Sequence, residues 1–280
     1  MDAEGRIAGW ARIGFAAGAI GLGLVTLLYH SFLLQWQPVP DWVPQPFVWL
    51  SGGLLIIGGA ALVLRKGMAW GGLLLGLFLA IWVLALKLPE AVAVLPKITK
   101  VTSMIGTWLG VAEDAGMTLG ALTLYALAVK AGDNPAIAWL SGPKALYVFR
   151  LLYGVCCIEF GLSHFSFIDF TASMIPGWLP FHVFFAWLTG IGHVCAGIAL
   201  ITGILPRLGA TLEGLMMSLF VLLVHIPLVV HHDKGAGHID WVMVFIATTQ
   251  ASAAFAVAAA LRDRPWGFKL PDKSGEKAVA

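Results

Sequence analysis

The sequence predicts an all-α, polytopic membrane protein: eight transmembrane helices arranged as two tandem four-helix units in parallel repeat. Three observations carry this. Hydrophobic residues make up 59% of the 280 residues and charged ones 11%, with a mean hydropathy of +0.88, a balance typical of chains that lie mostly in lipid. The apolar residues are gathered into long runs, each near the roughly 20 residues that a helix needs to cross about 30 Å of hydrocarbon. Finally, similar residues recur at one constant separation along the chain.

The runs cover approximately 7–33, 45–64, 68–88, 102–129, 145–166, 181–204, 208–230 and 238–261. The first follows Arg6 and contains Arg12; because the repeat includes it, it is read as a retained helix and not as a cleaved leader. The fourth carries the adjacent carboxyls Glu113 and Asp114, for which Lys87 of the third is a candidate charge partner. The fifth and sixth are joined by Ser166 to Pro180, a short connection with Asp169 and a Pro-Gly-Trp-Leu-Pro turn. Arg262 to Ala280 is charged and holds Pro265 and Pro271, so it reads as a solvated tail.

Arg12 falls on Arg150, Trp49-Leu50-Ser51-Gly52 on Trp187-Leu188-Thr189-Gly190, Gly59 on Gly197, and Pro89 on Pro227, all at a separation of 138 (150 − 12). The expected units are 1–137 and 138–265, followed by a tail at 266–280. An even number of spans per unit makes both units enter the membrane from one side, a parallel repeat. With the N-terminus inside, thirteen Lys and Arg lie on the inner side, against Lys87, Lys97, Lys100 and Lys234 outside. That asymmetry places both termini in the cytoplasm of a bacterial-type inner membrane. The formal net charge is only +2, and no phosphate loop, dinucleotide fingerprint, nucleophile elbow or zinc motif is present. Soluble-enzyme chemistry is unsupported and no nucleic-acid partner is expected.

The segment from Arg150 to Leu208 has an arginine, an apolar helix, a loop ending Ile175-Pro176-Gly177-Trp178-Leu179-Pro180, then Leu188-Thr189-Gly190-Ile191-Gly192-His193 and Gly197-Ile198-Ala199-Leu200. This pattern resembles the DoxX family of small four-helix membrane proteins. The first unit resembles it more weakly, through Arg12, Trp42-Val43-Pro44 and Leu50-Ser51-Gly52. The resemblance implies a compact four-helix fold that serves, in some members, as the membrane part of quinone-linked sulfur oxidation or as a partner of redox enzymes. Family members often carry Glu where this chain has His193, and the first unit has Leu55 there.

Seven of the eight histidines lie in the second unit, which is therefore read as the functional one, the first being a scaffold. An ionisable group inside a membrane span is costly and is a functional candidate by default. His193 and His225 lie within apolar helices, and Thr189, Gly197, Gly214 and Ser218 on their faces leave room and hydrogen bonds for a ligand. They are the expected cofactor-binding residues, with His164 and Trp187, in the outer half of the membrane. Glu159 and Asp169 are candidate proton carriers, although His164 points about 140° away from Glu159 on the same helix. A metal set of His225, His231, His232 and His238 is a further candidate. For each histidine the bland alternative is a hydrogen bond between helices or a side chain reaching to the interface.

The functional expectation is a membrane component of a redox system with a quinone- or haem-type ligand, a metal ion being a third cofactor choice. Its partners would be the lipid bilayer and a membrane or periplasmic redox protein. A flat quinone bridges the different depths of His193 and His225 more easily than a small metal does. Two alternatives stay open: a non-catalytic accessory or assembly subunit, and a small-molecule transporter.

Overall fold

The computed structural model describes residues 3–130, 134–231 and 237–267, and among these it contains helices and turns but no strand. The helices are α1 (Ala3–Leu28), α2 (Pro46–Val63), α3 (Met68–Ile81), α4 (Leu88–Val94), α5 (Val101–Ala128), α6 (Gly142–Ser166), α7 (Ile168–Met174), α8 (His182–Thr202), α9 (Pro206–Phe220), α10 (Ile226–Val230) and α11 (His238–Ala260). A π turn, Trp82–Lys87, joins α3 to α4 into one rod, and a second, Val221–His225, joins α9 to α10. Eight long rods result. Among the described residues seven are long and apolar enough to cross a membrane; the eighth, α5, has 28 residues but carries Glu113 and Asp114. The protein is a multi-pass membrane protein.

The separation of 138 reappears in the packing. In the first half α1 packs on α2, α2 on α3 and α3 on α5; in the second α6 packs on α8, α8 on α9 and α9 on α11. Between the halves, α5 packs on α6 and α1 on α11, two contacts that interchange when the halves are exchanged. Glycines set the closest approaches. A Cβ on Gly23 of α1 would stand 2.6 Å from the Gly52 carbonyl oxygen of α2, and one on Gly161 of α6 would stand 2.6 Å from that of Gly190 on α8. Small residues let helix backbones meet where lipid offers no hydrophobic drive. The arginines also correspond: Arg12 donates to the Leu62 and Val63 carbonyls that end α2, and Arg150 lies against Gly203 at the end of α8. Both place positive charge at a helix C-terminus.

Two features differ from the sequence reading. The third span continues past Pro89 to Val94, because the π turn widens the helix just ahead of the proline. Proline offers no N–H and its ring crowds the carbonyl four residues back, and a wider turn accommodates both defects. The connection after α6 also contains a helix, the seven-residue α7, too short for periodicity to reveal.

Candidate ligand cavity

Helices α6, α8, α9 and α11, the α7 connection and one turn of α5 line a cavity of about 650 Å³, within the usual range for small-molecule sites. Its walls are mostly apolar side chains, among them Phe160, Phe185, Phe220, Met216 and Met243. Into this apolar space project His164, His193, His225, Thr189, Gln250 and Glu113.

His193 is fully buried, and its Nδ1 lies 2.8 Å from Glu213 Oε1, with both side chains sealed from solvent. Helix α8 presents the imidazole and α9 the carboxyl. Glu213 Oε2 is buried without a protein partner. With Nδ1 engaged, Nε2 is the ring nitrogen left for a ligand. The His193 ring is packed edge-on against Phe160, His164 and Phe220, at centroid distances of 5.8, 4.9 and 5.9 Å. Its orientation is fixed on both sides. His164, held by α6, has Nδ1 3.0 Å from Thr189 Oγ1, whose hydroxyl donates to the Phe185 carbonyl at 2.9 Å. His225 comes from the π turn ahead of Pro227 and is buried on the cavity wall.

The structure therefore brings His164, His193 and His225 onto one cavity. Glu159 lies on another face of α6, half-buried, with Oε1 buried and unpartnered, and it does not line the cavity. Asp169 is exposed in the first turn of α7 and also stands outside the lining. Trp187 is stacked on Phe165 with centroids 4.8 Å apart, away from the cavity. His231 is exposed at the end of α10, and His238 stacks on Tyr29 at 4.7 Å. His232 lies outside the described residues. Among the described residues no three His, Cys, Asp or Glu side chains gather closely enough to hold a metal ion.

Sequence reasoning missed Glu213 as the partner of His193, and it missed Gln250 and Glu113 as lining residues. The repeat held the signal for the first. His193 falls on Leu55 and Glu213 on Leu75 (193 − 55 and 213 − 75 are both 138), so both partners of one buried pair replace leucine together. Leu55 and Leu75 are themselves fully buried.

Comparison with curated proteins and with solved structures yields no match. The DoxX family model matches residues 145–226, from the first turns of α6 to the start of α10. That stretch, which carries His164, His193, Glu213 and His225, is the part of this multi-pass membrane protein that is similar to DoxX.

Proposed function

We propose that the second half of the chain holds a quinone-type ligand within the membrane and exchanges protons with it through His193 and Glu213, as the membrane component of a redox system. The observation that carries this reading is a sealed imidazole–carboxyl pair whose imidazole stands on the wall of a largely apolar cavity. Burying such a pair is no gain over apolar packing, since desolvation costs each group several kcal/mol. The leucines at the equivalent positions of the first half indicate that the fold accommodates an apolar pair there. Retention of the polar pair is thus better explained by chemistry than by packing.

A quinone matches the walls and the polar groups together. Its ring and tail are apolar, while its two oxygens need hydrogen bonds and take up or release protons when its redox state changes. A carboxylate on Nδ1 fixes the imidazole tautomer, leaving Nε2 to accept or return a proton. Haem is disfavoured because the His164 and His193 rings touch at 4.9 Å and leave no slot for a macrocycle between them. Electrons would pass to or from a membrane or periplasmic redox protein. In the orientation supported by the distribution of Lys and Arg, both termini are cytoplasmic and the cavity lies in the outer half of a bacterial-type inner membrane.

The test is to extract lipids from the purified full chain and to titrate it with decylubiquinone while following tryptophan fluorescence, since Trp178 lines the cavity. Co-purified quinone and saturable quenching that is lost in His193→Ala are expected. Failure of the wild-type chain to bind would leave the reading without support and favour a non-catalytic accessory subunit.

A further inference from the structure

A second, smaller cavity of about 330 Å³ lies beside the first, between the π turn of α3, α4 and the first half of α5. It is lined by Lys87, Glu90, Thr107 and the glycine positions Gly106 and Gly110, and Glu90 is exposed at its rim. Its volume would hold roughly ten waters at about 30 Å³ each. Leu109 and Glu113 line both cavities. Among the described lining residues of the larger cavity, Glu113 is the one Asp, Glu, Lys or Arg.

Several contacts hold Glu113 at this junction. Trp36 Nε1 donates to its Oε2 at 2.8 Å, and Gln250 Nε2 of α11 donates to its backbone carbonyl at 2.6 Å. Gln250 is 2% exposed, lines the larger cavity, and its Oε1 has no protein partner. Glu113 itself lines both cavities. Lys87 lies over Gly110, where an added Cβ would be 3.1 Å from Nζ, near enough to act electrostatically on Glu113 and Asp114. Lys87 and His225 are 138 residues apart (225 − 87) and each closes a π turn, so repeat-related residues face the two cavities that Glu113 shares. The groups facing Glu113 are Trp36, Lys87, Gln250 and, across the larger cavity, His164, His193 and His225; Asp114 adjoins it on α5.

We propose that Glu113 is the proton relay between the ligand cavity and the aqueous face, with the smaller cavity as its water-filled path. This rests on the quinone-type reading of the larger cavity. A proton placed on the His193–Glu213 pair has no exit of its own, because both side chains are sealed. Glu113 touches the ligand space on one side and a polar path on the other. The step moves one proton at a time: a ligand hydroxyl gives its proton to the Glu113 carboxylate, which becomes a neutral acid and passes it to water beside Lys87 and Glu90. The accompanying electrons go to the redox protein partner.

The experiment is electrochemical infrared difference spectroscopy on the full chain loaded with decylubiquinone. A carboxyl band that changes with the redox state of the quinone is expected in wild type. Its component that Glu213→Gln leaves in place disappears in Glu113→Gln, which still accepts the Trp36 hydrogen bond, and persists in Glu159→Gln. In deuterated water the band shifts more slowly, by roughly tenfold, when Gly110→Leu or Thr107→Leu fills the smaller cavity and excludes its water. If Glu113→Gln removes no component of the band, or if the band exchanges at the wild-type rate in both filled variants, the relay is overturned while quinone binding is left intact. Absence of any quinone signal from washed wild-type protein overturns the binding reading and the relay with it.

Discussion

His193 and Glu213 stand where the first half of the chain has Leu55 and Leu75, and this substitution of a polar pair for an apolar one can be reversed by mutation. Removing one partner leaves the other buried without compensation, so Glu213→Leu alone should cost about 3–5 kcal/mol of stability. Replacing both with leucine restores the apolar pair of the first half. The double variant should therefore unfold at or above the wild-type temperature, yet bind decylubiquinone at least about tenfold more weakly, a difference of about 1.4 kcal/mol. Thermal unfolding followed with fluorescence titration separates the two effects. A double variant that binds normally would assign the pair to packing. Single residues were partly legible beforehand: a histidine in an apolar span identifies itself by cost, so His164, His193 and His225 stood out. Their partner did not, because one carboxyl in an apolar run, Glu213, gives no sign in the sequence of which helix it meets.

At the scale of elements, close helix contacts and the two π turns determine where those side chains point. Gly161 brings α6 against α8 and so sets the contact between His164 and His193; Gly161→Val would press its Cβ into the Gly190 carbonyl. This overpacking should cost about 1–3 kcal/mol and weaken ligand binding, whereas Gly53→Ala, with open space at its Cβ, should change neither. Equal behaviour of the two variants would remove the close-contact argument. Pro227 supports the π turn that carries His225. Pro227→Ala restores an N–H and lets the regular helix continue, which turns His225 by about 100° relative to its neighbours. The expected outcome is higher thermal stability with several-fold weaker decylubiquinone binding, and unchanged binding would show that the turn does not aim His225. The paired prolines were visible in the sequence, but the widened turns were not: periodicity marks where a proline interrupts a pattern and cannot tell a stop from a bulge. The same limitation hid α7, whose seven residues give less than two full turns of amphipathic signal.

For the whole molecule, the exchange of α1–α11 and α5–α6 contacts describes two halves that face one another across an approximate two-fold relation, with seven of the eight histidines in one half. Composition and the 138-residue register made the helical class and the number of rods legible, because membrane crossing imposes a length and an apolarity that a sequence cannot hide. The cavity was less legible, since its polar wall draws residues from α5, α6, α8, α11 and a π turn, distant in sequence. Sidedness follows from the same architecture: if each half crosses an even number of times, the link between halves must lie on the side of the N-terminus, and the connection after α6 on the other. Trp139 and Trp178 are both exposed, at 72% and 69%, and sit in these two segments. Trp139→Cys should react with a membrane-impermeant thiol reagent only from the side that exposes Lys144, and Trp178→Cys only from the opposite side. The native Cys156 and Cys157 are buried, and replacing the exposed Cys195 by Ala removes its background. Labelling of both sites from one side would break the parallel arrangement and remove the reason for placing the cavity in the outer half; opposite labelling, with Trp139→Cys protected in intact cells, fixes that orientation.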